Sequence, residues 1–224
     1  MRPRLQAVLF DLDGTLADTA PDLGAATNRL LQEEGHPEQP LSALRPHVSQ
    51  GVRGLLAAAF GIAPAHHDYD RLSTRFLDLY AERLCAESRL FSGVGELLTQ
   101  LEAAGLRWGI VTNKRMRFTD PLVAQLGLAP RTRCVVSGDT TAAAKPSPLP
   151  ILHACRLLDC DPAASVYVGD DRRDIEAGRA AGCMTIAAAW GYLGVEGDPF
   201  AWGADHVLEA PAAITACLGL APVA

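Results

Sequence analysis

The chain has 224 residues, with 20 basic and 26 acidic side chains and a formal net charge of −6. Hydrophobic residues make up 49% and charged ones 21%, which excludes a disordered or fibrous chain and gives enough apolar surface for one large domain or two smaller ones. The acidic balance argues against a protein that coats nucleic acid, where a basic excess is expected.

In chain order, the first predicted strand is the apolar run Ala7 to Phe10, which ends abruptly at Asp11. From about Pro21 to Leu90 the text is helical, with amphipathic stretches at Leu23 to Glu34, Gly51 to Phe60 and Tyr69 to Glu87. Pro37, Pro40, Pro46 and Pro64 separate them. Helix and strand then alternate. Helices are predicted over Gly95 to Ala104, Thr119 to Leu126, Pro148 to Leu158, Asp174 to Ala181 and Ala212 to Leu218. Strands are predicted over Trp108 to Val111, Cys134 to Val136, Val166 to Val168 and Met184 to Ala189, with a weaker one at His206 to Leu208.

Short apolar runs alternating with helices predict an α/β fold, a doubly wound parallel sheet. The stretch between the first two strands is too long for a crossover helix and reads as an inserted α-helical cap. The expected division is therefore a core of residues 1–20 and 91–224 and a cap of residues 21–90.

The six cysteines include no C-x-x-C pair and the six histidines show no metal spacing, so the cysteines read as buried thiols in a reducing compartment. The apolar run after Arg2 and Arg4 is too short for a secretory leader, and no stretch approaches the roughly 20 apolar residues of a membrane span. A cytoplasmic protein without membrane or nucleic-acid partners is expected, as a monomer or homodimer.

Ligands of open parallel sheets sit beyond the carboxyl ends of the strands. There the sequence places Asp11, Asp13, Gly14 and Thr15, then Thr112, Asn113 and Lys114, then Lys145, then Gly169, Asp170, Asp171 and Asp174. A single Asp-Gly is an ordinary turn. Several carboxylates converging on one point repel one another unless a cation sits among them, and Mg²⁺ suits such oxygen ligands together with a substrate phosphate. Lysine, threonine and backbone amides nearby are the donors a phosphate needs.

Phe10-Asp11-Leu12-Asp13-Gly14-Thr15-Leu16, Val111-Thr112-Asn113-Lys114, Lys145-Pro146 and Val168-Gly169-Asp170-Asp171-Arg172-Arg173-Asp174 resemble the four motifs of the haloacid dehalogenase superfamily. The likeness covers essentially the whole chain, and the helical insertion resembles the small cap of its phosphoglycolate phosphatase-like branch. It implies that Asp11 is the nucleophile and Asp13 the general acid and then base, with the Asp13 backbone carbonyl as a metal ligand. It further implies that Thr112 and Asn113 bind the substrate, that Lys145 neutralises nucleophile and phosphoryl group, and that Asp11, Asp13 and Asp170 hold Mg²⁺. Asp174 is expected to orient a metal-bound water or to hold Lys145, while Asp171 departs from the serine common in that branch. Arg53, in the cap loop Ser49 to Gly54, corresponds to the place where capped relatives carry substrate determinants and is expected to pair with a substrate carboxylate. Arg115 and Arg117 either reach an anionic substrate or lie on the surface. Trp190, Gly191 and Tyr192 form either an entrance wall or ordinary packing.

Arg117-Phe118, the run from Gly169 to Arg179, and the tail from Trp190 through Asp205 are similar to a narrower branch acting on N-acetylmuramic acid 6-phosphate in cell-wall recycling. The resemblance thus implies a Mg²⁺-dependent phosphatase with an aspartyl-phosphate intermediate. Its substrate would be a small phosphorylated metabolite, either N-acetylmuramic acid 6-phosphate or 2-phosphoglycolate, and both carry a carboxylate. A phosphosugar mutase of the same superfamily is the alternative among enzymes. A phospho-receiver signalling module is the alternative outside them, although receivers are about half this length and lack an equivalent of Asp13.

Overall fold

Strand β1 (Ala7–Phe10) is buried along its whole length, as expected for a strand covered on both faces, and it lies near the middle of a six-stranded sheet. The computed structural model describes residues 4–132, 134–195 and 197–220. After β1 come β2 (Ala17–Asp18), α1 (Ala20–Glu33), α2 (Leu41–Leu44), a 3₁₀ turn at Arg45–Gln50, α3 (Gly51–Phe60) and α4 (Tyr69–Glu82). The chain returns through β3 (Arg89–Leu90), α5 (Val94–Ala103), β4 (Arg107–Val111), α6 (Met116–Gln125) and β5 (Val135–Val136). It ends with α7 (Leu149–Leu157), β6 (Ser165–Gly169), α8 (Arg172–Ala181), β7 (Met184–Ala188), β8 (His206–Leu208) and α9 (Ala213–Cys217).

The sheet order is β5-β4-β1-β6-β7-β8, with every pairing parallel. Strand periodicity sends alternate side chains to opposite faces. Ala7 and Leu9 join Val111, Ile151, Ala154, Tyr167 and Ala177 in one apolar cluster, on the side of α7 and α8. Val8 and Phe10 join a second cluster with Leu97, Leu98, Ile110, Val168 and Ile186. The fold is thus the doubly wound α/β sheet that the alternation predicts.

The second cluster continues into the helical block through Leu23, Leu30, Leu55, Leu72, Phe76 and Tyr80. Helices α1 and α4 are also joined by Arg75 on Glu33 and Arg71 on Glu34. Such exposed pairs add little to stability, because solvent screens them. A buried Leu or Phe contributes roughly 1.5–3 kcal/mol, so the apolar stripe determines how the two helices pack.

Two sequence expectations shift. The stretch before Leu90 includes a strand residue, since Ala17 and Asp18 pair antiparallel with Leu90 and Arg89. The helix expected to run to Glu87 stops at Glu82. Beyond it, the Asp22 carboxylate of α1 accepts from the Glu87 and Ser88 amides and the Ser88 hydroxyl, and those bonds fix a non-helical backbone.

Candidate active site

The chain turns sharply where β1 ends. The amides of Leu16 and Ala17 both donate to the Leu12 carbonyl, and Gly14 takes φ +82°, a left-handed value that favours glycine. A Cβ at Gly14 would lie 2.1 Å from Asp170 Oδ2, so the turn can press against β6 only because no side chain is present. This close approach brings the first and fourth motifs together.

Carboxylate oxygens of Asp11, Asp170 and Asp174 lie within 4.8 Å of one another. Asp170 is fully buried and accepts from Thr15 Oγ1 at 3.1 Å and from the Tyr192 amide at 2.9 Å. Burial, followed by the charges of Asp11 and Asp174, pushes its carboxyl well above the ordinary range. Asp174 is raised for the same leading reason, burial, against the opposing pull of Lys145. It also belongs to the capping box of α8, accepting the Asp171 amide at 3.1 Å.

Lys145 Nζ is buried among Val111 O, Tyr167 OH and Asp174 Oδ1 at 2.9, 2.8 and 2.6 Å. Burial works against its charge, but Asp11 and Asp174 outweigh it and hold the lysine above its ordinary pKa. Asp11 Oδ1 is 2.9 Å from the same ammonium yet has no aligned hydrogen bond among the described residues. Three carboxylates against one ammonium leave two negative charges in a closed space. The donor set, all oxygen, suits a hard divalent cation.

Asp13 stands apart. Its carboxylate accepts from Thr19 Oγ1 and pairs with Lys114 Nζ at 3.0 and 3.2 Å. The carboxylate cluster therefore takes Asp174 in place of the Asp13 side chain, and the expected metal role of Asp13 rests on its backbone carbonyl alone. Thr112 is buried and lines the adjoining cavity. Asn113 uses its carboxamide on the main chain of Lys145, donating to the carbonyl and accepting from the amide, both at 2.9 Å. Its carboxamide thus holds the main chain of Lys145 in place, and Asn113 also lines the cavity.

The cavity, about 400 Å³, lies between the strand ends and the helical block. Asp11, Asp13, Thr112, Lys114 and Lys145 line it from one side, and Leu23, Val48, Val52, Phe76 and Tyr80 from the other. Arg53 is exposed on α3 and is not among the lining residues. The arginines that do line it are Arg115 and Arg173. This is a correction of register, because the α3 face turned to the cavity carries Val52.

Sequence reading gave no role to the Lys114 or Arg173 side chains and did not foresee the hydrogen bonds of the Tyr192 hydroxyl. Arg173 pairs with Asp171 at 2.8 and 2.9 Å and donates to Ser49 O at 2.6 Å, linking the two sides of the cavity. The Tyr192 hydroxyl receives the Thr19 and Ala20 amides at 2.7 and 2.9 Å and sits 3.0 Å from Asp18 Oδ1. That caps the start of α1. Trp190 Nε1 donates to Thr15 O at 3.0 Å. Of these, only Lys114 gave a signal in the sequence, by following Thr112-Asn113 at a strand end.

Comparison with known proteins agrees with this geometry. Residues 8–188 match the family model for haloacid dehalogenase-like hydrolases. The chain belongs to that family. It is 44% identical over 208 residues to an N-acetylmuramic acid 6-phosphate phosphatase of Pseudomonas putida, covering 93% of each chain. It is 46% identical over 209 residues to a phosphoglycolate phosphatase of Xanthomonas campestris, covering 92% of this chain and 93% of that one. The crystal structure of a predicted phosphoglycolate phosphatase from Haemophilus somnus 129PT superposes with a TM-score of 0.85 at 25% identity, over 97% of this chain and 99% of that one. Among the described residues no helix is long and apolar enough to cross a membrane. The chain is an enzyme of the hydrolase class.

Proposed function

We propose that this hydrolase is a Mg²⁺-dependent phosphatase that cleaves a phosphate monoester through an aspartyl-phosphate on Asp11, with N-acetylmuramic acid 6-phosphate as substrate. The observation that carries the reading is the buried group of Asp11, Asp170 and Asp174 around Lys145, opening into the cavity.

The surplus of two negative charges and the unaligned oxygen of Asp11 fit a divalent cation held by Asp11 and Asp170, with the Asp13 carbonyl. Bound there, Mg²⁺ would supply charge compensation for the phosphoryl oxygens. In the first step an Asp11 oxygen attacks phosphorus and the bond from phosphorus to the ester oxygen breaks. The leaving oxygen takes a proton from Asp13. In the second step Asp13 takes a proton from water, the water oxygen bonds to phosphorus, and the bond to Asp11 breaks. Lys114 pairs with the Asp13 carboxylate and fixes its position beside the cavity. Lys145 sets its ammonium 2.9 Å from Asp11 Oδ1 and orients that carboxylate for attack, and Thr112 offers a hydroxyl to a phosphoryl oxygen. The helical block of residues 21–90 acts as the cap that closes the cavity over the leaving group.

The choice of substrate is supported by the Pseudomonas putida relative and by the size of the cavity. A space of about 400 Å³ falls within the roughly 300–1,000 Å³ of pockets for drug-sized ligands. A two-carbon phosphate ester needs far less. The described cysteines are all free thiols, which supports a cytoplasmic setting.

The test is a panel of phosphate esters with purified protein. Phosphate release with Mg²⁺, abolished by chelator, and a higher kcat/KM for N-acetylmuramic acid 6-phosphate than for 2-phosphoglycolate are expected. A rearranged ester in place of phosphate would indicate a mutase, and a stable phosphoprotein without turnover a receiver. A reversed preference would remove the substrate assignment and leave the phosphatase standing.

A further inference from the structure

Four of the residues lining the cavity are cationic: Lys114, Arg115, Lys145 and Arg173. Three are neutralised by carboxylates of the same site. Lys114 pairs with Asp13, Lys145 with Asp11 and Asp174, and Arg173 with Asp171. Arg115 has no carboxylate partner among the described residues and is exposed, so it brings an uncompensated positive charge to the cavity.

Its position sharpens the point. Arg115 is the N-cap of α6, whose first turn contains no acidic residue. A cation is the wrong sign for the positive end of a helix. Asp139 accepts the Met116 amide at 2.8 Å at this terminus but makes no ion pair with Arg115. The Arg115 charge is therefore not explained by local stability. The same cavity is lined by apolar Leu23, Val52, Phe76 and Phe118, and by Ser49, whose hydroxyl is buried without a hydrogen-bond partner among the described residues.

We infer that Arg115 is a specificity-determining residue that binds a second anionic group of the substrate, a carboxylate, while the phosphoryl group sits at Asp11. The inference rests on the phosphatase reading and deepens it. The ester that fits carries a phosphate and a separate carboxylate on a body with an apolar face. Arg173 cannot serve equally, since its fork is already committed to Asp171 and Ser49.

The test compares two sugar phosphates that differ in the carboxylate: N-acetylmuramic acid 6-phosphate, and N-acetylglucosamine 6-phosphate, which lacks the lactyl group. In Arg115→Ala the ratio of their kcat/KM values, acid over neutral sugar, falls about ten- to hundredfold, the worth of a charge-assisted contact. The loss appears mainly in KM. Arg115→Lys keeps the charge without the fork and restores part of the ratio. Arg115 is exposed and makes no ion pair, so the variant folds, which its melting temperature checks.

An unchanged ratio in Arg115→Ala, or a ratio that falls instead in Arg53→Ala, overturns the inference while phosphatase activity remains. If the wild-type protein releases phosphate from neither sugar, it is the phosphatase reading of these substrates that fails.

Discussion

Lys114 Nζ lies 3.0 Å from Asp13 Oδ1 and 4.8 Å from the centroid of the Tyr80 ring. The three residues come from different places: the end of β4, the turn after β1, and α4. Burial opposes the charge on Lys114, but the Asp13 carboxylate and then the polar group of Tyr80 more than compensate and hold its pKa above the ordinary lysine value. The catalytic carboxylate proposed for proton transfer is thus aimed by a cation that itself leans on the helical block.

From this pair it follows that Lys114→Met leaves Asp13 held by the Thr19 hydroxyl alone and less firmly aimed. Positioned proton transfer contributes about 10²–10⁴-fold to rate. We expect kcat for p-nitrophenyl phosphate to fall by about 10² while KM changes little. Steady-state kinetics checks this, and an unchanged kcat would remove Lys114 from the proton-transfer machinery.

Asp170 is the member of the acid cluster least able to stay charged alone. Its raised pKa means that its ionised form destabilises the metal-free fold at neutral pH, because the unfolded carboxylate ionises more easily. Asp170→Asn should therefore lower activity and raise metal-free stability together. We expect the Mg²⁺ concentration for half-maximal activity to rise about tenfold or more and the melting temperature in chelator to match or exceed wild type. A fall in melting temperature would show that the bonds from Thr15 and Tyr192 matter more than the repulsion.

What could be read from the sequence follows from range. The sheet was legible because Ala7 to Phe10, Trp108 to Val111 and Val166 to Val168 are apolar on both faces, a signal contained within each run. Asp11, Asp170, Asp174 and Lys145 were legible as strand-end residues that the topology must bring to one edge. Arg53 misled because helical register decides which side of α3 meets the cavity, and the loop sequence does not fix it. The ribbon of Ala17–Asp18 with Arg89–Leu90 is two residues long, below any periodicity. Tyr192 reaches Thr19 across 173 positions, a partnership only tertiary structure creates.

The Tyr192 hydroxyl accepts two backbone amides at the start of α1, where the first turn of a helix has no partners of its own. In Tyr192→Phe both amides lose that acceptor in a buried setting, at about 1–3 kcal/mol for the pair. For a protein of this size each kcal/mol shifts Tm by about 2–4 °C. A Tm lower by several degrees is expected in calorimetry, and an unchanged Tm would mean that water replaces the hydroxyl without cost.

Glu33 and Glu34 face Arg75 and Arg71 across the α1 to α4 interface, and those hydrogen bonds hold both carboxyls below the ordinary value of 4.5. A depressed folded pKa gives stability that is present above the unfolded value and lost as pH falls through the folded one. Both groups are exposed, so the effect is small. The Tm advantage of wild type over the Glu33→Gln, Glu34→Gln double variant should be present at pH 7 and vanish below about pH 4. An advantage that persists into acid would assign it to packing instead.

The Asp22 carboxylate fastens the other connection between the helical block and the sheet. It is buried and takes the Ser88 amide at 2.7 Å, the Ser88 hydroxyl at 2.6 Å and the Glu87 amide at 3.0 Å. Hydrogen bonds to a charged group contribute about 1.5–3 kcal/mol each, though not additively. Asp22→Ala strands three donors and opens a void, so a loss of about 3 kcal/mol is expected, or a Tm lower by roughly 6–12 °C. Because the strain falls on the segment just before β3, proteolysis should begin near Glu87 in the variant, at Arg83 or Arg89 with trypsin. Cleavage that stays at the same sites and rate as in wild type would show that the apolar cluster alone holds this connection.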